Sequence, residues 1–512
     1  MASAPLLSTF LFIHLLVFVP ATIVHGATPS IRMVDSNKIN QDKITQRNLV
    51  ISAAMAEVIQ LHHLISSMDT SSFEDRVKSA LADCLKLYEN SIQQLNRSLS
   101  LSNTKKDNVH VHTLLSSALT DYQTCQNGFE DFDLFTTYSK LFPSNNFSKH
   151  ICHSLSINKD VTGLQMSSLS GKISEGWPEW LSASDRRFLQ AEVPAADLVV
   201  AQDGSGNFRT ISEALAAAKT GSNRFVIHVK KGVYKEYVEI GENLRNLMLV
   251  GDGIDATVVT GSKSVRGSPG NITTFRTATF GADGSGLIVR DMTFENTAGP
   301  ENFQAVAMRS DSDHSVFYRC SFKGYQDTLY VHSNSQFYRD CDIYGTIDFI
   351  FGNAIAVLQN CNIYVRKPLM QQFNTITAQG RKCPDDTTGF VLHNCSIKAA
   401  SDLKPVQSMF KTYLGRPWES CSATVVMKSY MEDLIDPSGW VEWPGHPEYI
   451  NTLYYGEYMN SGNGSSTASR VKWPGYHIIT SAAEAQKFTV QNFLNKDSWL
   501  NATGVPFTPG LQ

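Results

Sequence analysis

Hydrophobic positions follow a helical period in the first third of the chain and a strand period in the rest. Between about 40 and 165, Val77, Leu81, Cys84, Leu85, Tyr88, Ile92 and Leu95 fall at i, i+4, i+7, i+8, i+11, i+15 and i+18, one face of a helix. Ile51, Met55, Val58, Ile59 and Ile65 make a second stripe, and Leu115, Ala118, Leu119 and Tyr122 a third. Stripes in this succession predict an all-α antiparallel bundle. Cys84 and Cys125 sit on inward faces of different helices, where a bridge would staple the two together. From about 196 onward the apolar runs shorten. Phe225-Val-Ile-His-Val229 and Leu247-Met-Leu-Val250 read as strands ended by Lys/Gly or Gly-Asp-Gly.

A loose repeat then sets in: Val316-Phe-Tyr-Arg-Cys320, Phe337-Tyr-Arg-Asp-Cys341, Val357-Leu-Gln-Asn-Cys361 and Val391-Leu-His-Asn-Cys395, with Cys-to-Cys steps of 21, 20 and 34 residues. Short strands recurring at this spacing predict a solenoid in which each coil buries its apolar residues by stacking on the next. With coils about 4.8 Å apart, the product is a parallel β-helix, and the 34-residue step implies a long loop in one coil. Cysteines at equivalent places on adjacent coils are within reach of each other, so Cys320–Cys341 and Cys361–Cys395 are candidate bridges. The competing reading is an unbonded ladder of buried thiols.

At 512 residues the chain is too long for one ordinary domain. The expected division is 1–26, 27–165, 166–195 and 196–512. In the first, Leu6 to Val19 is an apolar run, and Val24 and Gly26 stand at −3 and −1 of a cut before Ala27, as in a secretory signal peptide. No later segment reads as apolar enough to span a bilayer. The third is a Ser- and Gly-enriched linker whose Arg186-Arg187 is a dibasic processing site. A net charge of −4 gives no reason to expect nucleic acid or an anionic membrane as partner. Secretion permits disulfides, and the nine cysteines are odd in number and never spaced Cys-x-x-Cys, which argues against zinc. Sequons at Asn96, Asn146, Asn271, Asn394, Asn463 and Asn501 fit an extracellular glycoprotein.

The chemistry sits in the repeat. Cys320-Ser-Phe-Lys-Gly-Tyr-Gln-Asp327 aligns with Cys341-Asp-Ile-Tyr-Gly-Thr-Ile-Asp348, so coiling stacks Asp327 and Asp348. Two such carboxylates titrate as a unit, one raised in pKa by the other, which suits acid/base or nucleophilic work. Gln326 precedes Asp327, and Gln304 lies about one coil earlier. Apolar Phe349-Ile-Phe351 follows Asp348, and its rings belong either to the coil core or to a cleft wall. Downstream, Leu414-Gly-Arg416-Pro-Trp418 holds an Arg and an aromatic close together.

Gln304-Ala-Val-Ala-Met308, Gln326-Asp-Thr-Leu329, Asp348-Phe-Ile-Phe-Gly352, Leu414-Gly-Arg-Pro-Trp418 and Gly232-Val-Tyr-Lys-Glu236 resemble, in order and spacing, the signature segments of plant pectin methylesterases. The helical region is similar to that family's inhibitor-like pro-region, with Ala118-Leu-Thr-Asp-Tyr-Gln-Thr-Cys125 the best-matching stretch, and Arg186-Arg187-Phe188-Leu189 resembles its processing site. The resemblance implies a right-handed parallel β-helix preceded by an all-α four-helix-bundle pro-domain, and hydrolysis of the C6 methyl esters of homogalacturonan to pectate and methanol. It implies Asp348 as nucleophile, Asp327 as proton donor and acceptor, and Gln326 and Gln304 as donors to the oxyanion. Arg416 would hold Asp348, and Trp418 and Thr274 would meet the sugar. It implies no metal and no cofactor. The expected partners are pectin, a proteinaceous inhibitor and a subtilase-type processing protease, for a monomer secreted to the cell wall.

Departures from the family pattern are the absence of an early Cys pair between 27 and 50, an extra Cys152, Cys421 in place of an aromatic, Ala423 in place of Arg, and an atypical Cys383. A Cys383–Cys421 pair is not expected. The other readings are a polygalacturonase or pectate lyase, whose His or calcium-binding acidic patterns are not seen here, and an inhibitor-only role for the helical region.

Overall fold

The structure, a computed structural model, describes residues 36–142, 146–163, 195–268, 272–494 and 498–511. The expected signal peptide, Arg186-Arg187 and Asn271 lie outside the described residues. Four long helices carry the predicted stripes: α1 (Ser36–Ser66), α2 (Asp75–Ser100), α3 (Lys105–Glu130) and α4 (Asn146–Thr162). Thr104 caps α3 with a capping box, its hydroxyl accepting from the Asp107 N–H at 3.1 Å while the Asp107 carboxylate accepts from the Thr104 N–H at 3.3 Å. Ile51, Val58, Leu81, Tyr88, Leu115, Leu119, Tyr122 and Leu155 pack into one core. A disulfide joins Cys84 of α2 to Cys125 of α3. Arg47 is fully buried, its guanidinium donating to Asn108 at 2.7 Å and Asn158 at 2.6 Å and so tying α1 to α3 and α4.

One expectation needs correcting here. Helix α1 contains a stretch, Ile39–Ser66, long and apolar enough by length and composition to cross a membrane. In the structure it is a bundle helix, with Ile51, Ala54, Val58 and Ile65 buried against its neighbours.

The rest of the chain winds as a parallel β-helix with three sheets. The first has eleven strands, from Leu198–Val200 to Tyr476–Ile478. The second has eight, from Gly232–Tyr234 to Tyr430–Met431, and the third seven, from Val238–Ile240 to Thr412–Gly415. Register explains the sequence repeat. Phe317 pairs with Val289 on one side and Tyr338 on the other, Phe322 with Ile343, and Leu329 with Ile350. Between the first and second sheets six successive coils turn a corner on a residue with left-handed φ: Asp291, Arg319, Asp340, Asn360, Asn394 and Lys428. Asn and Asp tolerate that conformation best among residues with a side chain, which is why they recur just before the cysteine.

The cysteines after these corners point inward, and here the structure overturns the candidate bridges. Cys320, Cys341, Cys361 and Cys395 are free and buried. Their thiols donate to backbone carbonyls of the preceding coil, Cys320 to Val289 at 3.5 Å, Cys341 to Phe317 at 3.3 Å and Cys395 to Leu358 at 3.3 Å. In-register stacking keeps neighbouring Cβ atoms about as far apart as the coils, ~4.8 Å, whereas a disulfide draws them to about 3.8 Å. A thiol ladder therefore fits the stack without distorting it. The short α5 (Ile211–Ala217) packs Ile211, Ala214 and Leu215 onto one end of the core, and Glu236 of the Gly232–Glu236 segment accepts from its first N–H groups at 2.9 and 3.0 Å. Asn96, Asn146, Asn394 and Asn463 are exposed and Asn501 is half-buried.

Candidate active site

A cleft of about 550 Å³ lies between the third sheet and the helical domain. Its floor is built at the corners leading into third-sheet strands. Asp327 stands two residues before Leu329–Val331, and Asp348 two before Ile350–Gly352. Because Leu329 pairs with Ile350, the two aspartates stack, and the Asp327 N–H donates to the Ile347 carbonyl at 3.0 Å. Both adopt left-handed φ, 61° and 49°. Gln304 belongs to the coil before, where the Ala305 N–H donates to the Gln326 carbonyl at 3.3 Å. Phe303, just ahead of Gln304, has φ 60° and ψ −133°, a conformation a bulky residue rarely adopts.

The two carboxyls have different surroundings. Asp348 is gripped by Arg416, Nε to Oδ1 at 2.9 Å and Nη2 to Oδ2 at 2.6 Å, a fork shaped for an ionised carboxylate. Arg416 follows the strand Thr412–Gly415, and its own N–H donates to the Thr377 carbonyl at 3.0 Å. Thr375, on the strand Asn374–Gln379, closes the grip. Its hydroxyl donates to Asp348 Oδ1 at 2.6 Å and accepts from the Asp348 N–H at 2.9 Å. For Asp327, burial first and the charge of Asp348 second push the carboxyl well above the usual carboxylate range. The pair thus has unlike members, Asp348 in an arginine fork and Asp327 pushed toward its protonated form.

Aromatic rings wall the cleft. Phe351 stacks on Tyr330 with centroids 4.1 Å apart, Trp418 leans on Phe351 at 5.9 Å, and Trp443 lies under the Arg416 guanidinium at 4.4 Å. Phe349 turns into the coil core instead. The other wall comes from the helical domain: Arg76 of α2 and the end of α3, Asn127 to Asp133. Asp131 accepts from the Thr274 N–H at 2.7 Å and hydroxyl at 3.0 Å. Asp83 of α2 bonds to the Thr273 hydroxyl and to Arg276 Nε, the latter at 2.5 Å. At Gly128 a Cβ would sit 3.2 Å from Thr273 Cγ2, so a side chain there would crowd the approach of α3. Burial pushes the Asp131 carboxyl up to about 6, against the opposing pull of its bonds to Thr274.

All seven residues singled out in the sequence for chemistry line this cleft: Thr274, Gln304, Gln326, Asp327, Asp348, Arg416 and Trp418. Sequence reasoning missed Thr375, Tyr330, Trp443 and Asp131. The coil insertion between Asp348 and Thr375 hides their stacking. Asp131 comes from a separate domain and carries no motif. Among the described residues, Asp121, Asp311 and His332 are grouped closely enough to surround a cation. They lie at the domain junction, where Arg309 Nε already holds Asp311 at 3.1 Å and Thr124 bonds His332 at 2.7 Å.

Known proteins share these features. The pectinesterase family model matches residues 197–497, more than half of the chain, and the plant invertase/pectin methylesterase inhibitor model matches residues 31–157. The chain belongs to the pectinesterase family. Its pectinesterase relatives include pectinesterase 2 of Citrus sinensis, 54% identical over 85% of this chain and 83% of the relative. A probable pectinesterase/pectinesterase inhibitor 6 of Arabidopsis thaliana is 49% identical over 92% of this chain and 89% of that one. Among solved structures, the pectin methylesterase from carrot superposes with TM-score 0.60 at 52% identity, covering 62% of this chain and 98% of its own. One from Aspergillus niger does so at TM-score 0.52 and 30% identity, covering 60% of this chain and 96% of its own. The pectinesterase β-helix is thus accompanied here by an inhibitor-like helical domain.

Proposed function

We propose that the chain hydrolyses the C6 methyl esters of homogalacturonan in pectin, through an acyl-enzyme on Asp348. The observation that carries this reading is the split pair: two stacked aspartates facing one cleft, only one of them in an arginine fork. The ionised Asp348 oxygen attacks the ester carbonyl carbon. Charge that develops on the carbonyl oxygen meets the side-chain amides of Gln304 and Gln326, neutral donors that do not compete with Arg416 for the charge of Asp348. As the tetrahedral intermediate collapses, Asp327 gives its proton to the departing methoxide, and methanol leaves. Asp327, now a carboxylate, takes a proton from water as that water attacks the anhydride. Asp348 is released as a carboxylate, Asp327 is reprotonated, and the galacturonic acid formed loses its remaining proton to solvent. Trp418 and Thr274 are placed to receive the sugar.

The helical domain closes the cleft before any of this happens. Asp131 occupies Thr274, and the end of α3 with its following turn walls the cleft opposite the aspartates. We infer that the chain is made as a closed precursor, carried out of the cell by 1–26 to the wall and cut in the linker 166–195 at Arg186-Arg187 by a protease that reads basic pairs. Neither segment is among the described residues.

The test is methanol release from methyl-esterified pectin by linker-cleaved, reduced protein. The expected result is methanol without new reducing ends or unsaturated products. Reducing ends in place of methanol would point to a glycosidase or lyase, and unchanged release from Asp348→Asn would remove the mechanism.

A further inference from the structure

The loop 380–388 is the second of two long loops that lengthen one coil, between the strands Asn374–Gln379 and Gly389–His393. The helical domain grips it at three points. Cys383 forms a disulfide with Cys152 of α4, 231 residues away in sequence, with Cα atoms 5.5 Å apart. Two residues on, Asp385 pairs with Lys159 of α4 at 2.6 Å, and Asp386 accepts from the Ser116 hydroxyl of α3 at 2.6 Å. Cys152 and Lys159 are seven residues apart, so they share one face of α4. Cys383 is fully buried in the apolar cluster that spans both domains. Two of the three cysteines that departed from the family pattern are therefore each other's partners. Cys421, weighed against Cys383 from sequence, is free.

The expected processing site at Arg186-Arg187 lies between the two partners in sequence. Cutting there severs the peptide connection between the domains and leaves the Cys152–Cys383 bond whole. The second disulfide, Cys84–Cys125, lies within the helical domain and joins nothing across the cut. We infer that linker cleavage yields a two-chain molecule whose helical domain stays covalently docked over the cleft, and that a thiol reductant is required to dismiss it. In the releasing step a small dithiol supplies two electrons. Its thiolate attacks one sulfur of Cys152–Cys383, and a mixed disulfide forms and resolves. The two cysteines leave as thiols and the dithiol ends as its own disulfide. Until then the tether holds the domain at high effective concentration, where even weak docking contacts stay made.

The closed-cleft arm rests on the proposed function; the covalent arm does not. The experiment takes the full chain cut at Arg186-Arg187 with a protease specific for basic pairs, with free thiols alkylated before denaturation. It is resolved on a denaturing gel with and without dithiothreitol, alongside Cys152→Ser and Cys84→Ser. Expected are one species without reductant for wild type and Cys84→Ser, and two for Cys152→Ser. Dithiothreitol should give two in every case. Methanol release from methylated pectin should rise at least tenfold when cut wild type is reduced, and cut Cys152→Ser should release methanol without reductant. Two fragments from unreduced wild type overturn the covalent retention. One unreduced species as active as cut Cys152→Ser overturns the claim that retention keeps the cleft closed. No methanol from any cut and reduced form, with the gel as expected, would instead strike the proposed activity.

Discussion

On the β-helix wall of the cleft, Asp348 takes its donors from its own domain: two from Arg416 and one from Thr375. On the helical wall, Asp131 takes its donors from across the boundary, the N–H and hydroxyl of Thr274. The first arrangement survives separation of the domains unchanged, because every partner is fixed by stacked coils. The second exists only while they are docked, and it occupies Thr274, which the proposed function assigns to the sugar. Under the proposed function, one wall is preorganised for a reaction and the other is there to be removed. The two walls are also charged to opposite purpose. The fork sets a cation against Asp348, whereas burial holds Asp131 toward its neutral form.

The largest effect that would break this contrast falls on the preorganised wall. Asp348→Asn is expected to lower methanol release by cut, reduced protein by about 10³-fold or more, with circular dichroism unchanged, since an amide cannot form the acyl-enzyme. Asp327→Asn should cost about 10²-fold or more, the usual worth of a positioned proton donor. It should cost least with esters whose leaving alcohol is more acidic than methanol, because these need no protonation. An equal loss across such esters would argue that Asp327 acts structurally.

How far the sequence reached differs between the walls for a physical reason. Register along a solenoid is a one-dimensional property, so the Cys, Gly and Asp offsets that repeat at 21 residues placed Asp327 against Asp348 before any coordinates. Docking of the helical domain is three-dimensional. The α3 face that carries Ser116, Ser117, Thr120 and Thr124 reads as a solvated side of an amphipathic helix, yet these residues are buried. Ser116 bonds to Asp386, Ser117 to Ser333 and Thr120 to Asn353, all on the β-helix. Small polar residues look alike whether they face water or a polar partner. The thiols failed for the opposite reason. Equivalent positions on adjacent coils suggested bridges, but parallel stacking offers each sulfur a carbonyl rather than a second sulfur. Cys152 and Cys383 stood out only as surplus, and surplus on two domains of a secreted chain was itself the signal for a cross-domain bond.

A sharper test of the preorganised wall is Thr375, which no motif marked. Its hydroxyl fixes both the backbone N–H and the carboxylate of a residue held at left-handed φ. Thr375→Val keeps the shape and removes the hydroxyl. It is expected to lower kcat about tenfold with KM little changed, since the substrate's own contacts are intact and only the nucleophile's aim is lost. Thr375→Ser should restore most of the rate. Loss in KM instead of kcat would make Thr375 part of the sugar site.

The smallest expected effect concerns the removable wall and its pH dependence. Asp131, raised to about 6 chiefly by burial, faces Thr274, Asp83, Glu130 and Asp327. In the undocked state its carboxyl returns to the ordinary value near 4. Docking is therefore favoured below about 4 and weakened as pH rises through about 6. Asp83, Asp121, Glu130 and Glu242 at the junction are raised by the same burial and act in the same direction. Asp283, Asp313 and Asp385 are lowered against the opposing effect of burial, by Arg309 and Lys86, by His314 and His110, and by Lys159 respectively. Their contribution is present above about 4 and lost only as pH falls below it. Between 4 and 6 the raised carboxyls thus decide the sign. Methanol release by the cut, unreduced chain, divided at each pH by that of the cut and reduced chain, should rise several-fold from pH 4 to pH 6. Asp131→Asn, neutral throughout, should flatten part of that rise. A ratio that falls over the interval would show that the lowered group controls the lid.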